Sequence, residues 1–85
     1  MSKVKDKKVP LVIVEWGDAH GGSRWVQYSD LDRLHAPIKV RNVGYLVKED
    51  NIGVTLTHGF DENNNLVGTF FIPKNGVIKI TKVKY

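Results

Sequence analysis

Cysteine is absent from this 85-residue chain. Its absence excludes disulfides, thiolate nucleophiles and Cys-type zinc sites together. Long apolar runs are missing as well. The longest uninterrupted one is Leu11-Val12-Ile13-Val14, far short of the roughly 20 residues of a membrane-spanning helix. Met1 to Lys8 is charged and holds no apolar stretch of the kind a secretory leader carries. These absences predict a soluble protein of the cytoplasm with no membrane partner. Catalytic chemistry is equally poorly provided for. The serines are Ser2, Ser23 and Ser29, and none sits in a nucleophile-elbow pattern. His20, His35 and His58 are far apart and share no metal-ligand spacing such as i, i+4. A positioned nucleophile and base is the minimum for covalent catalysis. The expectation is therefore a non-enzyme with no metal and no cofactor.

What is present is enough apolar material, 41% of residues, to build the core of one small domain. A domain of this size hides only about 60% of its unfolded surface, which favours homo-oligomerisation. The formal net charge of +4 is unevenly spread. Residues 1–8 carry +3, residues 9–78 carry −2, and residues 79–85 carry +3. Residues 1–8 read as a flexible basic arm and residues 9–85 as the folded domain. Lysines at both ends can attract phosphate. They equally suit an edge strand that must not pair with neighbours.

Along the chain, Val9 to Trp16 reads as a strand, β-branched and apolar on both faces. Gly17 to Ser23 is a loop by its turn chemistry. Arg24 to Tyr28 is a strand stub or a packed loop. Ser29 to Leu34 has an N-cap serine, early acids and leucines at i, i+3, and Pro37 ends the helical turn they predict. Ile38 to Val47 alternates with a slip between Val40 and Val43, which predicts a bulge near Arg41-Asn42 or a bend at Gly44. Glu49-Asp50-Asn51 is a turn, and Ile52 to Phe60 alternates cleanly as its hairpin partner. After the polar loop Asp61–Asn65 come two further strands, Leu66–Ile72 and Val77–Val83, joined by Pro-Lys-Asn-Gly. The expected core is Ile13, Ile52, Val54, Leu56, Phe70, Ile78 and Ile80, with Tyr45 and His58 also in the inward phase.

Five strands at this spacing predict an all-β fold, a small closed or nearly closed barrel with one short helical or 3₁₀ turn. The stretch Phe71 to Ile80 resembles the end of an SH3-like or Sm-like barrel, where an Ile-Pro step leads through a 3₁₀ turn into the last strand. The Ala-Leu-Tyr-Asp-Tyr start and paired tryptophans of peptide-binding SH3 domains are lacking, so proline-motif binding is not implied. A second pattern runs through Val14-Glu15-Trp16, Asp18, Trp25, Val43 to Asp50, and Ile72-Pro73 with Ile78 and Ile80. It resembles a group of short, uncharacterised phage-encoded proteins. That resemblance implies a viral source and a place in the host cytoplasm, and it carries over no catalytic residue.

Two binding surfaces suggest themselves. His20-Gly21-Gly22-Ser23-Arg24 offers unhindered backbone amides, a hydroxyl and a guanidinium, and Trp25 and Tyr28 follow at once. Such a set can hold phosphate and stack on a base, although the two rings can equally plug a barrel end. The expected partner is a phosphorylated, base-bearing small molecule or a host protein, as counter-defence or host takeover would require. The alternative surface is Lys39, Arg41, Lys79, Lys82 and Lys84, for nucleic acid. A small virion component is a further alternative that the residues leave open.

Overall fold

The computed structural model describes residues 9–84, so the basic arm expected over residues 1–8 lies outside the described residues. Five strands form one antiparallel sheet: β1 (Leu11–Asp18), β2 (Ile38–Glu49), β3 (Gly53–Phe60), β4 (Leu66–Pro73) and β5 (Val77–Val83). Their order across the sheet is β4-β3-β2-β1-β5. The chain is all-β apart from a 3₁₀ turn at Tyr28–Asp30, one helical turn α1 (Leu31–Leu34) and a second 3₁₀ turn at Lys74–Gly76.

The core is Val12, Val14 and Trp16 from β1, Val54 and Leu56 from β3, and Ile72 from β4, with Val40, Leu46, Val77 and Ile80 packed around it. The rings of Trp16 and Phe70 lie 5.8 Å apart, yet β1 and β4 are three places apart in the sheet. In a flat sheet they would be separated by about 14 Å, at about 4.8 Å per strand. The sheet therefore curls until its two halves face each other. The twelve-residue β2 carries the curl. Its pairing with β3 shifts register between Leu46 and Lys48, and a bulge of this kind bends a strand and increases its twist. No ladder joins β4 to β5 among the described residues. Both remain edges, so the expected closure of the barrel by hydrogen bonding is not found. β5 instead takes the free side of β1, from Leu11 opposite Val83 to Trp16 opposite Val77.

The bulge expected near Arg41-Asn42 is absent. β1 and β2 pair without interruption from Leu11 opposite Tyr45 to Asp18 opposite Ile38. The break in the apolar pattern has another cause. Val40, Asn42, Gly44 and Leu46 share the inner face, and two of these do not look like core residues. Asn42 Oδ1 accepts the indole N–H of Trp16 at 2.7 Å, so the buried tryptophan meets its polar requirement. Gly44 leaves room for Leu56: a Cβ there would stand 3.1 Å from the Leu56 Cβ.

Several inward assignments are corrected by the register. In β1 the buried residues are Val12, Val14 and Trp16, while Ile13 faces outward and is half-buried. Ile52, Phe70 and Ile78 are exposed: Ile52 lies in the turn before β3, Phe70 lies on the edge strand β4, and the bulge in β5 turns Ile78 out. Tyr45 is half-buried, with its ring edge-on to Phe60 at 5.3 Å. His58 is exposed. Its ring lies over Gly68, whose φ is +69° and where a Cβ would come within 2.8 Å of His58 Nδ1.

Candidate functional site

The site is an excursion, residues 19–37, that leaves β1 after Asp18 and re-enters β2 at Ile38. Those two residues pair in the ladder, so both ends of the excursion are fixed to one point of the sheet. Two further ties hold its base. The Asp18 carboxylate accepts the Ala19 N–H at 2.8 Å. His20 Nε2 bonds the Ala36 carbonyl at 2.5 Å. A carbonyl can only accept, so Nε2 carries a proton. Within the excursion, the 3₁₀ turn at Tyr28–Asp30 runs straight into α1. Ser29 lies inside that turn rather than capping it, and no side chain caps either segment. The helical run stops at His35, before Pro37, as the residue preceding proline disfavours helix.

The excursion shapes two adjoining clefts. One, of about 340 Å³, is lined by His20, Gly21, Gly22, Arg24, Val26 and Leu34. The other, of about 460 Å³, lies between residues 17–20 and residues 34–37. His20 and Leu34 belong to both and divide them. His35 joins His20 in the larger cleft, although nothing in the sequence spacing links the two. Among the described residues, His, Asp and Glu side chains nowhere gather in threes as a metal ion would need.

Four of the seven expected ligand-contacting residues, His20, Gly21, Gly22 and Arg24, therefore meet in one cleft. Ser23, Trp25 and Tyr28 do not line it. Trp25 is fully exposed (101%) and Tyr28 nearly so (87%). Neither ring plugs the sheet, and Arg24 to Tyr28 is neither a strand nor a packed loop. The apolar side of the cleft comes from Val26 and Leu34. Val26 carries no periodic signal, being one apolar residue in coil. Leu34 was visible only as half of an i, i+3 pair.

The alternative cationic set is divided by the sheet. Glu15 pairs with Arg41 on one side and Lys79 on the other, and Gly17 pairs with Lys39. Lys39, Arg41 and Lys79 thus share the outer face around Glu15, with Arg41 Nη2 3.6 Å from Glu15 Oε1. Lys39, Arg41, Glu15 and Ile78 help to line a cleft of about 280 Å³ there. Lys82 pairs with Val12 and so lies on the opposite face, and Lys84 follows the end of β5.

Titration is perturbed in the turns, away from both surfaces. Asp50 accepts N–H bonds from Ile52 (2.9 Å) and Gly53 (3.2 Å) at the β2–β3 turn. These bonds hold its carboxyl below the usual range. Asp61 is lowered first by the backbone N–H of Asn65 and then by the Asn65 side-chain amide, at 2.9 and 3.0 Å.

No protein-family model matches the chain, and no curated protein or solved structure matches it either.

Proposed function

We propose that this chain is a small non-enzymatic binding protein whose excursion 19–37 holds a phosphorylated, base-bearing small molecule. One observation carries the reading: His20, Gly21, Gly22 and Arg24 converge with Val26 and Leu34 on a single cleft. Its volume of about 340 Å³ falls in the range of small-molecule sites, roughly 300–1,000 Å³. The glycine amides and the guanidinium suit phosphate, and the two apolar side chains suit the flat face of a base. The strand order, the long excursion after β1 and the 3₁₀ turn before β5 favour an SH3-like or Sm-like barrel as the scaffold. The pattern shared with short phage-encoded proteins favours a role in host takeover, with the ligand withdrawn from a host signal.

Thermal shift and calorimetry against a panel of mono- and dinucleotides test this. Arg24→Ala should weaken binding roughly 10- to 150-fold, the loss of about 1.5–3 kcal/mol for a charge-assisted contact. Arg24→Lys should restore part of it, since the ammonium keeps charge but loses the planar fork. No melting shift with any nucleotide would overturn the reading.

A second reading has its own observation. Trp25 and Tyr28 are almost wholly exposed, and these two residue types dominate the binding energy of protein interfaces. Occlusion of a host protein through this pair would leave the cleft empty. It would be abolished by Trp25→Ala and indifferent to Arg24→Ala.

A further inference from the structure

The two edges of the sheet differ in chemistry. β5 carries Lys79 and Lys82 within the strand, with Lys84 just beyond, and lysines on an edge discourage pairing with another chain. β4 has no such guard. Leu66-Val67-Gly68-Thr69-Phe70-Phe71-Ile72 holds no charged residue, and its proline comes last, at position 73. The strand is also exposed for most of its length, with Val67 at 66%, Phe70 at 43% and Phe71 at 50%. A long, apolar, uncovered edge is a template for a further strand.

We infer that the β4 edge is a self-association surface whose occupant is β4 of a second copy, paired antiparallel about a two-fold axis at Thr69. The sequence is self-complementary about that residue. Leu66 would meet Ile72 of the second copy, Val67 would meet Phe71, and Gly68 would meet Phe70. The first two are apolar cross-strand pairs of the kind that stabilises sheets; at the third, where Gly68 has a positive φ and the His58 ring lies over it, Phe70 of the second copy would pack beside that ring. Parity agrees: Val67, Thr69 and Phe71 share one face in the β3 ladder, and Phe70 and Ile72 share the other. No like charges oppose one another in this register, whereas two β5 edges would bring Lys79 and Lys82 of both copies close together. Fully exposed large apolar side chains present roughly 150–200 Å² each. Val67, Phe70 and Phe71 therefore supply at most about 300 Å² per copy, against about 800 Å² per partner in a standard interface. The backbone ladder adds to this, and the dimer expected is a weak, micromolar one. This inference is independent of the ligand reading, because the cleft of the excursion contains no β4 residue.

Sedimentation velocity on the full chain, from about 5 to 500 μM, tests it, with circular dichroism confirming the fold of each variant. The wild type should pass from monomer to dimer. Val67→Lys combined with Phe71→Lys sets lysine against lysine across the axis and should raise the dimer Kd at least about tenfold. Val67→Lys combined with Phe71→Glu sets lysine against glutamate in the proposed register and should recover most of the loss. A wild type that stays monomeric at 500 μM would overturn the inference. So would a ring larger than a dimer, or a Lys/Lys variant that associates like the wild type. If the Lys/Glu variant stays as weak as the Lys/Lys variant, the two-fold register at Thr69 is wrong.

Discussion

Trp16 and Trp25 lie nine residues apart, and the fold treats them in opposite ways. Trp16 is 8% exposed, lies tilted against the Phe70 ring and donates its indole N–H to Asn42. Trp25 is as exposed as a free side chain. The first sits in β1, which pairs on both sides, with β2 and β5. The second sits in the excursion, where Asp30 and Leu34 alone among residues 19–37 are even half-buried. The sheet buries an apolar face between its two halves. The excursion leaves Trp25, Val26 and Tyr28 uncovered.

The sharpest way to break that contrast is to remove each indole in turn. Trp16→Ala should destabilise by about 3–5 kcal/mol, and Trp25→Ala should stay within about 0.5 kcal/mol. Urea unfolding of both variants measures this, and equal losses would mean that the excursion packs on the sheet in solution. A finer cut separates the Trp16 ring from its hydrogen bond. Trp16→Phe keeps much of the apolar area but leaves Asn42 Oδ1 without its donor, and should cost about 1–3 kcal/mol. A double substitution with Asn42→Ala should cost less than the sum of the two single changes.

On the side of the excursion, His20→Ala removes the tie to Ala36. Global stability should fall by less than about 1 kcal/mol, since one exposed hydrogen bond is lost. Amide exchange of residues 21–34 should nevertheless quicken while the β1–β2 ladder keeps its protection. Exchange that quickens in both regions would show that the excursion and the sheet open together.

The smallest effect concerns the turns. Asp50 and Asp61 have carboxyls lowered in the folded chain. Their contribution is present above the unfolded aspartate pKa, about 3.9, and is lost as pH falls through the folded value. The urea midpoint should therefore decline as pH drops from about 5 towards 2. Asp61→Asn should flatten that decline slightly, with the excursion unaffected. An unchanged acid limb would mean that these bonds also form in the unfolded chain.

The strands and turns were legible in the sequence because alternation and turn chemistry are local. β3 was read in phase at Val54 and Leu56, which are separated by the small polar Thr55. β1 was not. Leu11 to Val14 is apolar on both faces, so alternation alone cannot choose the inner one, and register with β2 decides it. Asn42 and Gly44, where the pattern suggested a bulge or a bend, were misassigned for a different reason. One is polar and the other has no side chain, and each earns its inner position from a residue distant in sequence, Trp16 or Leu56. Of the candidate site, His20 to Arg24 was legible as turn-rich, phosphate-suited chemistry. The contribution of Leu34 was not, because it depends on how α1 folds back towards His20.

The paired Asp18 and Ile38 make the excursion removable in principle. Ladder bonds on the sheet side already hold its ends together, so the closure entropy of a different loop changes little with its length, by about 0.6 kcal/mol for each doubling. A sheet built this way can accept a new segment between those two residues without re-solving its own core. A change of the excursion would then be a matter of exchanging some nineteen residues, with the scaffold inherited whole.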